Sequence, residues 1–324
     1  MNAGDFIEQN LTKIIDVARL APSVHNTQPW KVAAKANSVV IELDPRHRLT
    51  AGDPTTRQTI LSLGIFAEAV SIAANALGLI TTSVVLQGET AVISFADKLG
   101  EPTGTDLLPL LKQRATDRSI YKPADVSETA VAALQQTAQT SGIRVEVVTD
   151  RSVINKIADL TSHGIQLAMS NPEFRAELSQ YLVVPGSGKL RGISVKSLYI
   201  NGLLARLQPS MVKAGLSIGA EAKLEKRRWQ SASAVVAIFG DGDLSQYWFE
   251  TGRTYLHTSL AIEQLGFSQA TSAAIVEASN YHDDIEDLLG TEQRVLALIR
   301  IGQGSSKRAY SPRVSADELI TSRS

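Results

Sequence analysis

Between Ala21 and Trp30 the chain brackets Ser23, His25, Asn26, Thr27 and Gln28 with two prolines, Pro22 and Pro29. Hydroxyls, amides and an imidazole are uncharged donors and acceptors, a set suited to the edge of a polar heterocycle. A lone Asn or Thr at such a place is a capping residue for loose backbone groups. Several short polar side chains held between prolines point instead to a ligand loop. A second set is Arg114, Thr116 and Arg118, two guanidinium groups four apart with a hydroxyl midway. Guanidinium groups bind phosphate bidentately, so the set can clamp an anion, although Arg-x-Thr-x-Arg alone is usually a solvated face.

These residues need elements to hold them. Ile7, Leu11, Ile14, Ile15 and Ala18 recur at helical spacing, so a helix spans 5–20 and stops before Pro22. Strands near 30–34 and 39–43 form a hairpin with Ala36-Asn37-Ser38 at its turn. A long helix is expected over 54–78, opened by Asp53 as N-cap and Pro54 at its first position. Between Arg57 and Gln87 the only charge is Glu68, so this helix is expected to be central and buried. Strands at 81–87 and 90–95, a turn at Thr103–Asp106 and a short helix at Leu107–Gln113 follow. Then come helices at 127–141 and 151–169 around a strand at 143–148, and a mixed, mostly helical region over 171–230. The order closes with a strand at 233–239, a helix at 245–265, strands at 268–274 and 293–301, and an irregular tail. The whole reads as α+β.

The two long helices echo each other. Gly64, Ser71, Ala73, Leu77 and Gly78 recur, at an offset of 188 without gaps, as Gly252, Ser259, Ala261, Leu265 and Gly266. The paired mid-helix glycines carry most weight, because glycine costs about 1 kcal/mol in a helix interior and must serve a close approach of backbones. A duplication is expected, with the two helices crossing as a pseudo-symmetric core.

Composition narrows the function. A chain of 324 residues with 44% hydrophobic and 20% charged content is ordinary for a globular protein. A net charge of -1 and basic clusters at 223–228 and 307–313 without aromatic interleaving argue against nucleic acid. The lack of cysteine excludes disulfides and thiolate chemistry. Asp5 and Glu8 make the N-terminus unlike a signal peptide, and no apolar run of about 18 residues suggests a membrane span, so a cytoplasmic protein is expected. Gly186-Ser187-Gly188-Lys189 fails as a P-loop because Val183 and Leu190 stand where Gly and Ser or Thr are needed. The five histidines are scattered without metal-ligand spacing, and only His25 falls in the ligand loop. No Gly-x-Ser-x-Gly elbow and no Gly-x-Gly-x-x-Gly after a strand is present.

The stretch Pro22, Ser23, Asn26, Gln28, Pro29 and Trp30 resembles the flavin-contacting loop of the nitroreductase-like flavoproteins, Pro-Ser-Ser-x-Asn-x-Gln-Pro-Trp, with Val24 in place of the second serine. The His25-Asn26-Thr27 form is most similar to the Acg-type branch, in which two nitroreductase units are fused. Arg114, Thr116, Arg118 and Tyr121 resemble the arginine-rich opening of a nitroreductase unit. Arg313, after Pro312, resembles the C-terminal arginine that closes on the flavin phosphate, with Arg308 as fallback. Thr271 and Ser272 fall where the family's strand approaches the ring.

The resemblance implies a first unit over 1–113 and a second over 114–324, the latter with a lid-like insertion at about 171–230 hinged at Pro185–Gly188. The first unit has the Pro-Ser loop without the arginine opening, and the second has the reverse. One complete FMN site per chain is therefore implied. Pro22, Ser23, Asn26, Gln28, Thr116, Thr271 and Ser272 would surround the flavin, Arg114 and Arg313 its phosphate, and Arg118 its pyrimidine edge. Because hydride passes directly from NAD(P)H to the flavin, no catalytic dyad or metal is implied. The expected activity is FMN-dependent reduction of nitroaromatics, quinones or similar flat acceptors. The alternative is a flavin-storage protein with a closed lid, and a third possibility is a specialised oxidation on the same scaffold. The chain would be a monomer mimicking a dimer, or pair further, with neither nucleic acid nor membrane as partner.

Overall fold

The computed structural model describes residues 2–138, 140–277, 281–305 and 308–322. Gln139, within the expected helix over 127–141, and Lys307, in the basic tail, lie outside the described residues. Helix α1 (Ala3–Ala18) buries the Ile7, Leu11, Ile14 and Ile15 stripe. Strands β1 (Trp30–Lys35) and β2 (Ser38–Leu43) make the hairpin. Then come α2 (Arg57–Asn75), β3 (Thr81–Gln87), β4 (Thr90–Phe95) and α3 (Leu107–Gln113). The chain continues through α4 (Glu128–Gln135), β5 (Ile143–Val148) and α5 (Arg151–Ser170). The 171–230 region holds α6 (Pro172–Gln180), β6 (Leu182–Val183), β7 (Ile193–Ser194), α7 (Gly202–Ala214) and α8 (Ile218–Gln230). Strand β8 (Ala234–Gly240), helix α9 (Ser245–Gln264) and strand β9 (Ser268–Thr271) follow. The chain ends with α10 (Ala274–Glu277), α11 (Tyr281–Leu289), β10 (Arg294–Gly302), α12 (Ala316–Leu319) and β11 (Ile320–Ser322).

Two sheets flank the long helices, in the α+β class expected. One has the order β11-β1-β2-β4-β3 and the other β5-β8-β10-β9. Within the first, β11 returns from the C-terminus to pair parallel with β1, Val32 opposite Ile320. Strand β8 is buried along its full length, so alternation vanishes and the segment is a continuous apolar run.

Helices α2 and α9 cross at the centre. A Cβ at Gly64 would lie 2.1 Å from Phe249 O, and one at Gly252 would lie 2.0 Å from Leu61 O. The contact is reciprocal, since Phe249 follows Leu61 by the same 188 positions (249 − 61) that separate Gly252 from Gly64 (252 − 64). Ser71 Oγ bonds Thr81 Oγ1 at 2.9 Å, and its counterpart Ser259 donates to Gln269 Oε1 at 2.6 Å. Gly78 and Gly266 end their helices at φ 92° and 78°, left-handed values that favour glycine. Glu68, the one charge of α2 after its first residue Arg57, accepts from Arg253 Nε at 2.8 Å and meets His257 Nε2 at 2.9 Å, both on α9.

Five expectations need correction. Helix α2 starts at Arg57, not at Pro54, because Thr56 turns left-handed at φ 63°. Asp53 still caps it from a distance, accepting from Gln58 N at 3.0 Å and Thr59 N at 2.8 Å. Helix α4 ends at Gln135, where the Thr137 hydroxyl donates to Leu134 O at 2.7 Å and competes with helix continuation. Strand β9 stops at Thr271, and the tail is not wholly irregular, because tertiary pairing with β1 makes β11 a strand. Finally, the 19-residue α2 is long and apolar enough to cross a membrane by length and composition, but 89% of that window is buried inside the protein.

The Asp53 carboxyl is 1% exposed, and burial raises its pKa to about 6, opposed by hydrogen bonds from Thr59 and Gln58. The folded protein therefore holds this proton more tightly than the unfolded chain, so the group's contribution to stability falls as pH rises from about 4 through 6. Urea denaturation at pH 5 and pH 7 should show this loss in the wild type. Asp53→Asn should lack that component.

Candidate cofactor site

A cavity of about 840 Å³ opens between the helix crossing and the 171–230 region. Its walls come from the Pro22–Asn26 loop, one face of α2, the 111–118 segment, α9, the 270–277 segment, the tail at 309–313 and the helices α6 to α8. The residues singled out in the sequence converge here: Pro22, Ser23, Asn26, Arg114, Thr116, Arg118, Thr271, Ser272 and Arg313 all line it.

The loop is held in an unusual backbone. His25, Asn26 and Gln28 have φ of 45°, 54° and 48°, left-handed values uncommon for residues with a Cβ. Asn and His tolerate them better than most, and such strain gathers at functional sites. Local bonds fix the shape: Ser23 Oγ accepts from Gln28 N at 3.0 Å, and Thr27 Oγ1 donates to Val24 O at 3.0 Å. Trp30 anchors the loop's exit by stacking on Phe66 of α2 at 4.2 Å.

Gln28 departs from expectation, because it does not line the cavity and is 0% exposed. Its amide nitrogen donates to Leu190 O at 2.8 Å and its oxygen accepts from Val314 N at 2.9 Å. Both ends of the amide are thus occupied in tying the loop to the 190s segment and the tail. Asn26 plays a related part. It donates to Gly192 O and Pro312 O, each at 2.9 Å, and accepts from Arg313 at 2.7 Å.

The arginine segment lies extended beside β9, with Thr116 bridged to Gln269 and Asp117 N donating to Gln269 O at 2.8 Å. Extended geometry puts residues i, i+2 and i+4 on one face, which groups Arg114, Thr116 and Arg118. Arg114 is 5% exposed, and its buried Nε and Nη1 have no acceptor among the described residues. Burial lowers its pKa. Among the described residues the Arg118 side chain makes one weak hydrogen bond, 3.5 Å to Ser197 Oγ, and burial pulls its pKa down to about 10, with Arg228 and Arg300 adding to the effect and Glu225 opposing it. Arg313 has a buried, unpaired Nε, and burial followed by repulsion from Arg114 and Arg19 lowers it to about 9. Arg308, the fallback, instead pairs with Glu263 at 2.5 Å and lies off the cavity.

Other wall residues carry no local signal. Tyr255 of α9, Ser197, and Glu225 and Arg228 of α8 reach the cavity only through the tertiary fold. Ser62 had one: a hydroxyl on an apolar helix face, here accepting from Val24 N at 3.0 Å.

The 171–230 region covers the cavity. With Met169 of α5 it forms a small core of Leu182, Val195, Ala205 and Val212. Glu177 of α6 accepts from Thr50 N, Ala51 N and Gly52 N at 2.6, 3.1 and 2.8 Å. On the other side Gly192 N donates to Asn26 O at 3.0 Å, and Arg191 donates to Thr27 O and Gln28 O.

No family model matches the chain. The uncharacterized protein MT1398 of Mycobacterium tuberculosis is 26% identical over 285 residues, covering 83% of this chain and 40% of its own length. The probable NAD(P)H nitroreductase PigM of Serratia sp. is 29% identical over 194 residues, 55% of this chain and 53% of PigM. The chain thus spans about half the length of the curated relatives it matches. Among solved structures, the FMN-dependent nitroreductase NfnB of Mycobacterium smegmatis, in complex with NADPH, is 18% identical; the match covers 68% of this chain and 99% of NfnB at a TM-score of 0.44.

Proposed function

We propose that the chain is an FMN-dependent NAD(P)H oxidoreductase of the nitroreductase type, with a nitroaromatic, a quinone or a similar flat molecule as acceptor. The observation that supports it most is the unpaired cation: Arg114 carries two buried N–H groups without an acceptor, in a cavity shared with Arg118 and Arg313. Leaving a charge unpaired in the interior costs several kcal/mol, so such a site suits an anion. A phosphate monoester can satisfy two guanidinium N–H groups at once. Arg114 and Arg313 would hold the FMN phosphate and Arg118 the pyrimidine edge, with Pro22, Ser23, Asn26, Thr116, Thr271 and Ser272 around the rest. Gln28 would act by fixing the loop against the tail. Bound there, FMN would supply two-electron chemistry, accepting hydride from NAD(P)H and delivering it to the acceptor. The nitroreductase name of PigM agrees with this reading.

We read 1–113 and 114–324 as two fused units, an Acg-type arrangement supported by the reciprocal contacts 188 positions apart. The test is direct. Protein mixed with FMN should stay yellow through gel filtration at one flavin per chain. It should bleach with NADPH under anaerobic conditions and recolour with a quinone.

The tethers of the 171–230 region favour a second reading, flavin storage beneath a closed lid. Glu177→Ala removes four hydrogen bonds to the 50–52 segment. At about 2 kcal/mol net, FMN release should quicken roughly 30-fold, measured by stopped-flow displacement. An enzyme turns over with NADPH before that change, whereas a storage protein gains turnover only after it.

A further inference from the structure

We infer that His25 is the hydrogen-bond donor that polarises the oxygen of the electron acceptor, presenting Nε2–H to the cavity from a neutral ring. The inference rests on the oxidoreductase reading and adds a residue to it.

The ring lines the cavity, and its two nitrogens have different surroundings. Nδ1 is sealed from water, with no hydrogen-bond partner among the described residues. Nε2 makes no hydrogen bond to any described residue and is not sealed. A sealed N–H without an acceptor is costly, and unsatisfied acceptors are tolerated somewhat better than orphaned donors. The single proton of the neutral ring therefore belongs on Nε2, the nitrogen left open. Protonating the second nitrogen would bury an unpaired N–H near Arg118. Consistently, burial pushes the ring's pKa down to about 4, with Arg118 acting in the same sense and Glu177 in the opposite one. The ring stays neutral across the ordinary pH range, a state in which imidazole can polarise a carbonyl without transferring its proton.

The ring is also held in place. Its backbone is left-handed at φ 45°, closed by Asn26 N donating to Ser23 O and Thr27 N donating to Val24 O, each at 2.9 Å. Phe174 of α6 meets it edge-on, with centroids 6.1 Å apart. On another side Gly52 borders it, where a Cβ would stand 3.5 Å from His25 Cε1, an ordinary contact distance. A strained backbone and a ring wedged between lid and loop aim one donor at a fixed point.

The chemistry gains from such a donor. When NAD(P)H reduces a quinone, NAD(P)H loses a hydride and becomes NAD(P)+. The quinone gains two electrons and a proton, and one oxygen carries negative charge until a proton from water completes the hydroquinone. Nε2–H stabilises that oxygen and keeps its own proton, so the balance needs no further reagent.

His25→Gly removes the ring and keeps a residue at ease with φ 45°. In this variant FMN affinity and the rate of bleaching by NADPH should stay within about twofold of wild type. Reoxidation by 1,4-benzoquinone should fall about 100-fold, the usual loss for one oxyanion donor. Reoxidation by ferricyanide, which takes electrons without a carbonyl oxygen, should be unchanged. Benzoate should bind the oxidised holoprotein about tenfold more weakly, and added imidazole should restore part of the quinone rate. Equal losses with quinone and ferricyanide, or no loss with either, would overturn the assignment. Wild-type protein that stays colourless with FMN, or does not bleach with NADPH, overturns the oxidoreductase reading and this inference with it.

Discussion

Replacing Arg114 by methionine should weaken FMN binding by about 100-fold while making the empty protein more stable. Arg114 is 5% exposed, and two of its N–H groups face no acceptor. Removing one partner of a buried, hydrogen-bonded charge pair costs about 2–5 kcal/mol, and 3 kcal/mol corresponds to roughly 150-fold in affinity. In the empty protein the same substitution removes an unpaired buried cation and replaces it with a flexible apolar chain of similar length. A gain of about 1 kcal/mol or more in urea denaturation is expected. Riboflavin, which lacks the phosphate, should bind both proteins alike. The two opposite signs are diagnostic. A merely structural arginine would lose stability when replaced and would leave the preference for FMN over riboflavin intact. Fluorescence titration with each flavin, beside denaturation of the flavin-free proteins, measures all the terms.

Gly252→Ala should cost about 3 kcal/mol or more, enough to unfold many domains of ordinary stability. The added Cβ would sit 2.0 Å from Leu61 O and 2.9 Å from both Leu61 C and Ile65 N, all backbone atoms of α2. A side chain could rotate away, but backbone yields only if the two helices separate, and the packing on both sides of the crossing goes with them. Gly64→Ala meets Phe249 O at 2.1 Å and should cost as much by the reciprocal contact. The control is Gly219 in α8, where a Cβ finds nothing within 4 Å. There Gly→Ala should stabilise by up to about 1 kcal/mol through helix propensity. One chemical change thus has opposite signs at two helical glycines, readable from urea midpoints. If Gly252→Ala unfolds at the wild-type midpoint, the close crossing is wrong.

Local physics made much of this protein legible in advance. The strand bounds at 81–87, 90–95 and 143–148 match the structure because alternation and turn residues specify each strand alone. The helix crossing was legible because a mid-helix glycine is costly, and two at a fixed offset imply that each accommodates the other. What escaped depends on partners distant in sequence. Nothing near Ile320 announces β11, since its ladder is supplied by Val32. Asp53 looked like an adjacent cap, yet it reaches α2 across a left-handed Thr56.

The candidate site divides the same way. Residue types alone marked the Pro22–Gln28 loop and the Arg114–Arg118 segment as able to bind a polar, anionic molecule. Whether a given polar side chain faces that molecule or the protein is decided by which backbone groups lie opposite it. Gln28 is taken up by Leu190 and Val314, and Asn26 by Gly192, Pro312 and Arg313. Two side-chain N–H groups of Arg114 meet no acceptor among the described residues. The sequence by itself determined most of the elements, the class and the inventory of candidate polar groups, because these follow from spacing, propensity and charge. Only the tertiary structure decided which of those groups are already satisfied and which still need a partner, because hydrogen-bond completion is set by neighbours that the chain brings from up to 293 positions away.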